Sequence, residues 1–173
     1  MIDPTTYDWQ RFSLTFYYNA HITRVFRYWT GAEGLESFFV ERCIFTNPRG
    51  EARDNFEPLQ SGDTYHWQFR HDFAVEGKIT ACVDKEQLSF SFGPMHVDVY
   101  FRVLDNQTEV QLIQSKIPDT PEGRVLGHLN CRSCWTFFMT NLSAVLDHGK
   151  DLRDENPELV SSMEVGFVPL TSR

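Results

Sequence analysis

The sequence predicts an α+β fold, a curved antiparallel sheet of about six to seven strands with one long C-terminal helix packed across it. Three observations predict this. Short runs that alternate apolar and polar residues recur from Phe12 to Ser115 with turn residues between them. Two helical patterns interrupt the series after its first strand. A long apolar helix, Glu122 to Leu146, then closes it. An amphipathic helix that follows a whole sheet has to lie across that sheet, because both elements carry a face to bury.

In the first strand Phe12, Leu14, Phe16 and Tyr18 alternate with Arg11, Ser13, Thr15 and Tyr17, which leaves one face buried. Asn19 is placed to cap the next segment, where Ile22, Val25, Phe26 and Trp29 recur at helical spacing. Thr30 and Glu33 have capping-box spacing for a second short helix carrying Leu35, Phe38 and Phe39. Glu41 to Asn47 reads as a strand, ended by the turn signal Asn47-Pro48-Arg49-Gly50. Glu51 to Asp63 is irregular, an extended loop or a ragged edge strand.

Four clearer strands follow. Thr64 to His71 has Tyr65, Trp67 and Phe69 on one face, and Ala74 to Val83 has Val75, Ile79, Ala81 and Val83. Gln87 to Phe92 aligns Leu88, Phe90 and Phe92; His96 to Leu104 aligns Val97, Val99, Phe101 and Val103. Asp105-Asn106 turns the chain into a last strand, Gln107 to Ser115. Thr120 and Pro121 suit the N-cap and first position of the long helix. One domain is expected over 8–153, followed by a tail over 154–173 that either docks through Val165, Phe167 and Val168 or hangs loose.

Composition narrows the function classes. The net charge is -8 and no basic run occurs, which argues against nucleic-acid binding, since that leans on clustered Lys and Arg. Twelve Arg against four Lys are dispersed along the chain and read as solvated surface. No apolar run approaches the ~18 residues of a membrane span, and the first residues carry no secretory pattern. Four cysteines at irregular spacing do not make a disulfide scaffold. The expected location is the cytoplasm, with reduced thiols. The 15 Phe, 6 Tyr and 4 Trp exceed what strand propensity requires and suggest either a Phe-rich core or an aromatic-lined cavity.

The order of elements, with its residues, resembles the START-like superfamily, the helix-grip or SRPBCC fold. Within it the chain is similar to the branch named after the activator of heat-shock protein 90 ATPase. The matching pieces are Val25-Phe26-Arg27-Tyr28-Trp29-Thr30 leading into Gly34-Leu35-Glu36-Ser37-Phe38-Phe39, and Gly62-Asp63-Thr64-Tyr65-His66-Trp67. Gly77-Lys78-Ile79 through Leu88-Ser89-Phe90, Thr108-Glu109-Val110-Gln111-Leu112, and the helix with Trp135, Leu142 and Leu146 ending in Gly149-Lys150-Asp151-Leu152-Arg153 complete the match, over roughly 10–153. Cys134 stands where the family often has Gly, and Phe38-Phe39 where it usually has Trp. Both departures bear on pocket shape, so ligand identity does not carry over. The resemblance implies a fold with a cavity; it implies no single activity.

Positions 128, 131, 135, 138, 142 and 145 share one face of an α-helix, so His128 and Cys131 continue the inward stripe of Trp135, Phe138, Leu142 and Val145. The alternative is a rim histidine bonded to backbone and a small buried cysteine. Cys131-Arg132-Ser133-Cys134 has redox-motif spacing, but about two turns into a helix and without a preceding strand. A metal site lacks a fourth ligand on that face. His96 and Asp98 share a face with Tyr100 and Arg102 opposite the apolar side, which places them on the outer sheet surface. Arg53, Asp54 and Glu57 are candidates for a pocket rim. Tyr65 is the polar handle on Trp67's face.

The favoured reading is a protein that binds a hydrophobic, apolar or aromatic small molecule between sheet and helix, without a cofactor. Tyr65, Trp67, Phe69, Phe90, Phe101, His128, Cys131, Trp135 and Phe138 are its expected lining. Family relatives imply two alternatives, a polyketide cyclase or dehydratase using His128 or Tyr65 as acid-base, and a chaperone-associated interaction domain. An exposed edge strand would allow a homodimer.

Overall fold

The structure is a computed structural model that describes residues 6–54, 57–70, 73–156 and 158–159. The expected tail contacts at Val165, Phe167 and Val168, and His71 at the end of an expected strand, lie outside the described residues. The first strand is β1, Phe12–Tyr18, and the next two elements are helices α1, Ile22–Thr30, and α2, Ala32–Phe38. Six further strands follow: β2 Arg42–Thr46, β3 Thr64–Gln68, β4 Ala74–Val83, β5 Gln87–Phe92, β6 Met95–Leu104 and β7 Gln107–Ser115. A π-helical segment, Gly123–Asn130, then runs directly into helix α3, Cys131–His148.

All seven strands form one antiparallel sheet in the order β1-β7-β6-β5-β4-β3-β2. The α+β class and the helix-grip layout follow from this. The period-2 alternation sets one face of the sheet against the helices: Phe12, Leu14 and Tyr18 of β1, Val97, Val99 and Phe101 of β6, and Val110 and Leu112 of β7 are buried. From α3, Trp135, Phe138, Met139, Leu142, Val145 and Leu146 complete the core. His96 and Asp98 are half-buried on the opposite face, where Asp98 Oδ1 accepts from Ser89 Oγ at 2.6 Å and lies 3.2 Å from His96 Nε2.

Several local expectations are corrected. Asn19 does not cap α1; His21 does, its Nδ1 accepting the Thr23 N–H at 3.3 Å. No capping box opens α2, because Gly31 is the N-cap and Thr30 Oγ1 donates to the Phe26 carbonyl inside α1. In β4 the register shifts between Ile79 and Ala81. A bulge reverses the alternation beyond it, so Cys82 packs on the core while Val83 is exposed. The dispersed arginines are not all solvated: Arg53 forks onto the buried Asp63 carboxylate at 2.5 and 2.9 Å, inside the irregular stretch before β3. That pair and the Thr46–Ala52 bridge give the stretch its order.

The junction after the long helix is tied down by a second polar knot. Asn141, fully buried, donates to the Phe38 carbonyl at 2.9 Å and accepts the Leu152 N–H at 2.7 Å. Arg153 donates to the carbonyls of Val40 and Glu36 at 2.7 and 2.6 Å and pairs with Asp151 at 2.7 Å. The Glu36 and Phe38 carbonyls are ones that α2 leaves open at its C-terminal end, and the bond from Asn141 to Phe38 ties α2 to α3.

Candidate functional site

The aromatic residues meet where sheet, α2 and α3 converge. Trp135 projects from the first turns of α3, with Phe39 nearly parallel at 5.0 Å and 19° and Trp29 at 6.1 Å and 28°. Phe138, one turn further, meets Phe39 edge-on at 4.9 Å. From the sheet, Phe90 and Phe92 approach Trp135 at 6.4 and 5.9 Å, Trp67 meets Phe39 at 5.2 Å, and Phe101 meets Trp29 at 6.4 Å. Offset and edge-to-face pairs at these separations are the favoured aromatic arrangements.

Of the residues expected to line a site, Trp67, Phe69, Phe90, Phe101, Trp135 and Phe138 are thus brought together; Phe69 joins through Phe39 and Phe138 at 5.1 and 6.3 Å. Tyr65 stacks on Trp67 at 3.9 Å, but its hydroxyl donates to the Ser91 carbonyl of β5 at 2.6 Å. Burial holds that phenol protonated, far above its ordinary range. Cys131 donates to the Leu126 carbonyl at 3.3 Å within the helix. Burial pushes its thiol up, and that of Cys134 up to about 11, which is the reverse of redox activation.

His128 stands apart from this cluster. Its Nδ1 donates to the Trp9 carbonyl at 3.0 Å, which leaves Nε2 to accept the Tyr7 hydroxyl at 2.7 Å. Tyr7, Trp9 and Phe12 surround the ring edge-on at 5.2 Å. Desolvation lowers its pKa, so the imidazole is neutral in a fully built pocket of its own. His128 lies in the π-helical segment ahead of α3, buried against Phe12 of β1. Bonds from i to i+5 widen each turn there, so α-helical spacing does not fix its bearing relative to Trp135.

That segment is held by close approach. A Cβ on Gly127 would sit 2.9 Å from Ile117 Cγ2 and 3.1 Å from Met95 Sδ, and one on Gly123 would sit 2.0 Å from the Pro118 carbonyl oxygen. Gln114, fully buried on β7, reads both sides of the junction. Its Nε2 donates to the Gly127 carbonyl at 2.8 Å, and its Oε1 accepts the Trp135 indole N–H at 2.9 Å. Gln114 therefore couples the π-helix to the ring at the centre of the cluster. Trp29, Phe39 and Gln114 are the site residues that sequence reasoning missed; a polar residue on the inward face beside Leu112 was the available signal for the last.

Two buried indoles differ from Trp135. Trp29 Nε1 and Trp67 Nε1 make no hydrogen bond among the described residues. The Trp67 N–H faces the thiol of Cys43, its partner across β2 and β3, and lowers a thiol that burial pushes up to about 12. Trp29 Nε1 stays without a partner among the described residues.

A large open groove of about 1060 Å³ lies elsewhere, along α1, α2 and the 57–59 segment. Its walls include Arg24, Arg27, Glu33 and Glu57 beside Tyr28 and Leu59. It is open to water and mixes charged side chains with apolar ones, whereas the aromatic cluster is buried and walled by rings. An apolar guest gains its binding energy from buried apolar surface, so the cluster is the better candidate of the two.

The sequence model of the Activator of Hsp90 ATPase homolog 1-like protein family matches residues 19–147. The comparison with curated proteins gave no match. Solved structures share the fold. An Aha1 dimer from Colwellia psychrerythraea is 16% identical, with a TM-score of 0.65 over 81% of this chain and 98% of that one. An HSP90 activator from Plasmodium falciparum, PFC0360w, is 21% identical, with a TM-score of 0.57 over 80% and 96%. DynU16, a protein in the dynemicin biosynthetic locus, is 17% identical, with a TM-score of 0.64 over 82% of this chain and 48% of that one.

Proposed function

We infer that this chain, which belongs to the Activator of Hsp90 ATPase homolog 1-like protein family, holds a hydrophobic small molecule among the rings between its sheet and α3. The observation that carries the reading is the convergence of Trp29 of α1, Phe39 at the end of α2, Trp67 of β3, Phe90 of β5, and Trp135 and Phe138 of α3, all buried. Flat rings slide and rotate more easily than branched aliphatic chains interlock, and aromatic walls are what small-molecule sites use. The rings touch one another, so a guest enters by parting them. DynU16, from a biosynthetic locus, is a fold neighbour consistent with a small-molecule role.

A cyclase-type enzyme would need an acid-base group reaching the guest. His128 is engaged by Trp9 and Tyr7, and Tyr65 by Ser91, so both candidates are turned elsewhere; binding is favoured over catalysis.

Thermal unfolding with neutral ring compounds such as naphthalene tests the proposal. At ten times Kd a native-state ligand stabilises by about 1.4 kcal/mol, a rise of roughly 3–6 °C in Tm for a chain of this size. Arg27→Ala, in the open groove, should leave that rise intact. An unchanged Tm across the series, or a rise that Arg27→Ala abolishes, would remove the site from the cluster.

A second reading is chaperone association, favoured by one observation. Val125, Leu126 and Leu129 expose an apolar row on the π-helix, each between 43% and 49% accessible. If that row docks on Hsp90, wild type changes the ATPase rate of purified Hsp90 and Leu126→Ser/Leu129→Ser does not. No effect of wild type would exclude it.

A further inference from the structure

We propose that the guest of the aromatic cluster is a neutral, planar aromatic compound with a carbonyl acceptor, an aryl ketone or a quinone, whose oxygen is received by the indole N–H of Trp29. This rests on the cluster being a binding site and adds what kind of molecule it takes.

Two features select the class. The first is an unmet donor. Trp29 is 1% exposed, and its Nε1 has no hydrogen-bond partner among the described residues. Leaving a buried donor unpaired is costly, and native structures rarely tolerate it without a reason. The other polar atoms of the cluster are supplied from within. Trp135 donates to Gln114, the Tyr65 hydroxyl to Ser91, and the Tyr18 hydroxyl to the Met139 carbonyl at 3.0 Å. Trp67 has the Cys43 sulfur before it. The Trp29 ring itself lies among Phe38 at 5.7 Å, Phe101 at 6.4 Å and Trp135 at 6.1 Å.

The second feature is shape and charge. Trp29, Trp135 and Phe39 lie with successive planes 28° and 19° apart, so the space that opens between them when they separate has flat, nearly parallel walls. Such walls fit a planar ring system. Among the described residues the cation–π contacts fall on Tyr28 and Trp9, outside these rings, and burying an unpaired carboxylate or ammonium is prohibitive. The acceptor is therefore an uncharged oxygen. An internal water would also satisfy the indole, and the experiment separates it from a ligand carbonyl.

Indane and indanone are matched probes that share one fused-ring skeleton and differ by a single carbonyl. Affinities are measured on the full chain by titration calorimetry, and the four indole N–H signals, one per Trp, are followed in ¹⁵N-labelled protein. Indanone is expected to bind roughly two- to tenfold more tightly than indane, the net worth of one hydrogen bond. The Trp29 indole signal, assigned through bonds, moves downfield with indanone and much less with indane. In Trp29→Phe the preference for indanone is lost or reversed. Equal binding of the two probes, or an indanone preference with a stationary Trp29 signal, overturns the acceptor while leaving the cluster as a site. If neither probe binds, both readings fall. Should Trp29→Phe not fold, the wild-type signals decide alone.

Discussion

Replacing Gln114 by Leu should destabilise the protein by about 2–4 kcal/mol, because one substitution orphans groups on two elements. Gln114 is fully buried and joins the Gly127 carbonyl to the Trp135 indole at 2.8 and 2.9 Å. Leucine matches its bulk, so cavity terms are small. What remains is the unmet indole N–H, roughly 1–3 kcal/mol, plus a smaller cost for a carbonyl that keeps a second lone pair for other partners. For a chain of this size that corresponds to a fall of roughly 4–16 °C in Tm. The assay is urea unfolding followed by tryptophan fluorescence, with the thermal midpoint as a check. A cycle with Trp135→Phe isolates the indole: once the donor is gone, Gln114→Leu should cost at least about 0.5 kcal/mol less. A Gln114→Leu protein as stable as wild type would refute the coupling of the π-helix to Trp135.

Arg153→Met should cost about 2–3 kcal/mol, at the low end for breaking a buried pair because Asp151 is partly exposed, whereas Arg49→Met, on the solvent-exposed Arg49–Glu51 pair, should cost under about 1 kcal/mol; urea midpoints compare them. Burial alone would raise the Asp151 carboxyl, but hydrogen bonds from Arg153 and Asn141 outweigh it and hold the folded pKa below 3.8. Its stabilisation is therefore present above the unfolded value and lost as pH falls through the folded one, so Asp151→Asn should flatten the acid limb of stability below about pH 4. Desolvation lowers His128 from 6.5, so its contribution is likewise full above 6.5 and lost on further acidification; His128→Asn should remove the decline that begins near there, and a decline unaltered by the substitution would contradict the neutral, buried imidazole. Burial pushes the thiols of Cys43 up to about 12 and of Cys82 and Cys134 up to about 11, so iodoacetamide at pH 8 should find no fast-reacting cysteine among them; mass spectrometry of the alkylated sites reads this directly.

Most strands were legible because they bury one face, as β1, β6 and β7 do. Alternation alone placed Ala74–Val83, Gln87–Phe92 and Gln107–Ser115 with their observed ends, and the turn residues supplied the antiparallel order. The long helix was legible as an element but not in its phase. Hydrophobic periodicity assumes i+3 and i+4 neighbours, and Gly123–Asn130 does not keep them; His128 is buried as that spacing expects, but against Tyr7, Trp9 and Phe12 rather than beside Trp135 and Phe138. The β4 bulge defeats pattern reading in the same way, by changing the period where no residue announces it. The aromatic cluster was half legible: the strand and helix rings could be aligned on faces, but the meeting of Trp29 and Phe39 with Trp135 depends on how α1 and α2 dock, which is a matter of tertiary packing. Polar residues on inward faces carried more information than they were given. Gln114 and Asn141 sit where apolar residues are expected, and each proves to hold two elements together.

The central claim is that the rings between sheet and α3 receive a guest. Intermolecular nuclear Overhauser effects from bound naphthalene to the assigned protein test it most directly. Contacts to Phe39, Trp135 and Phe138 together are the predicted result. Contacts confined to Arg24, Tyr28 and Leu59 of the open groove, or none at concentrations where naphthalene is soluble, would contradict it.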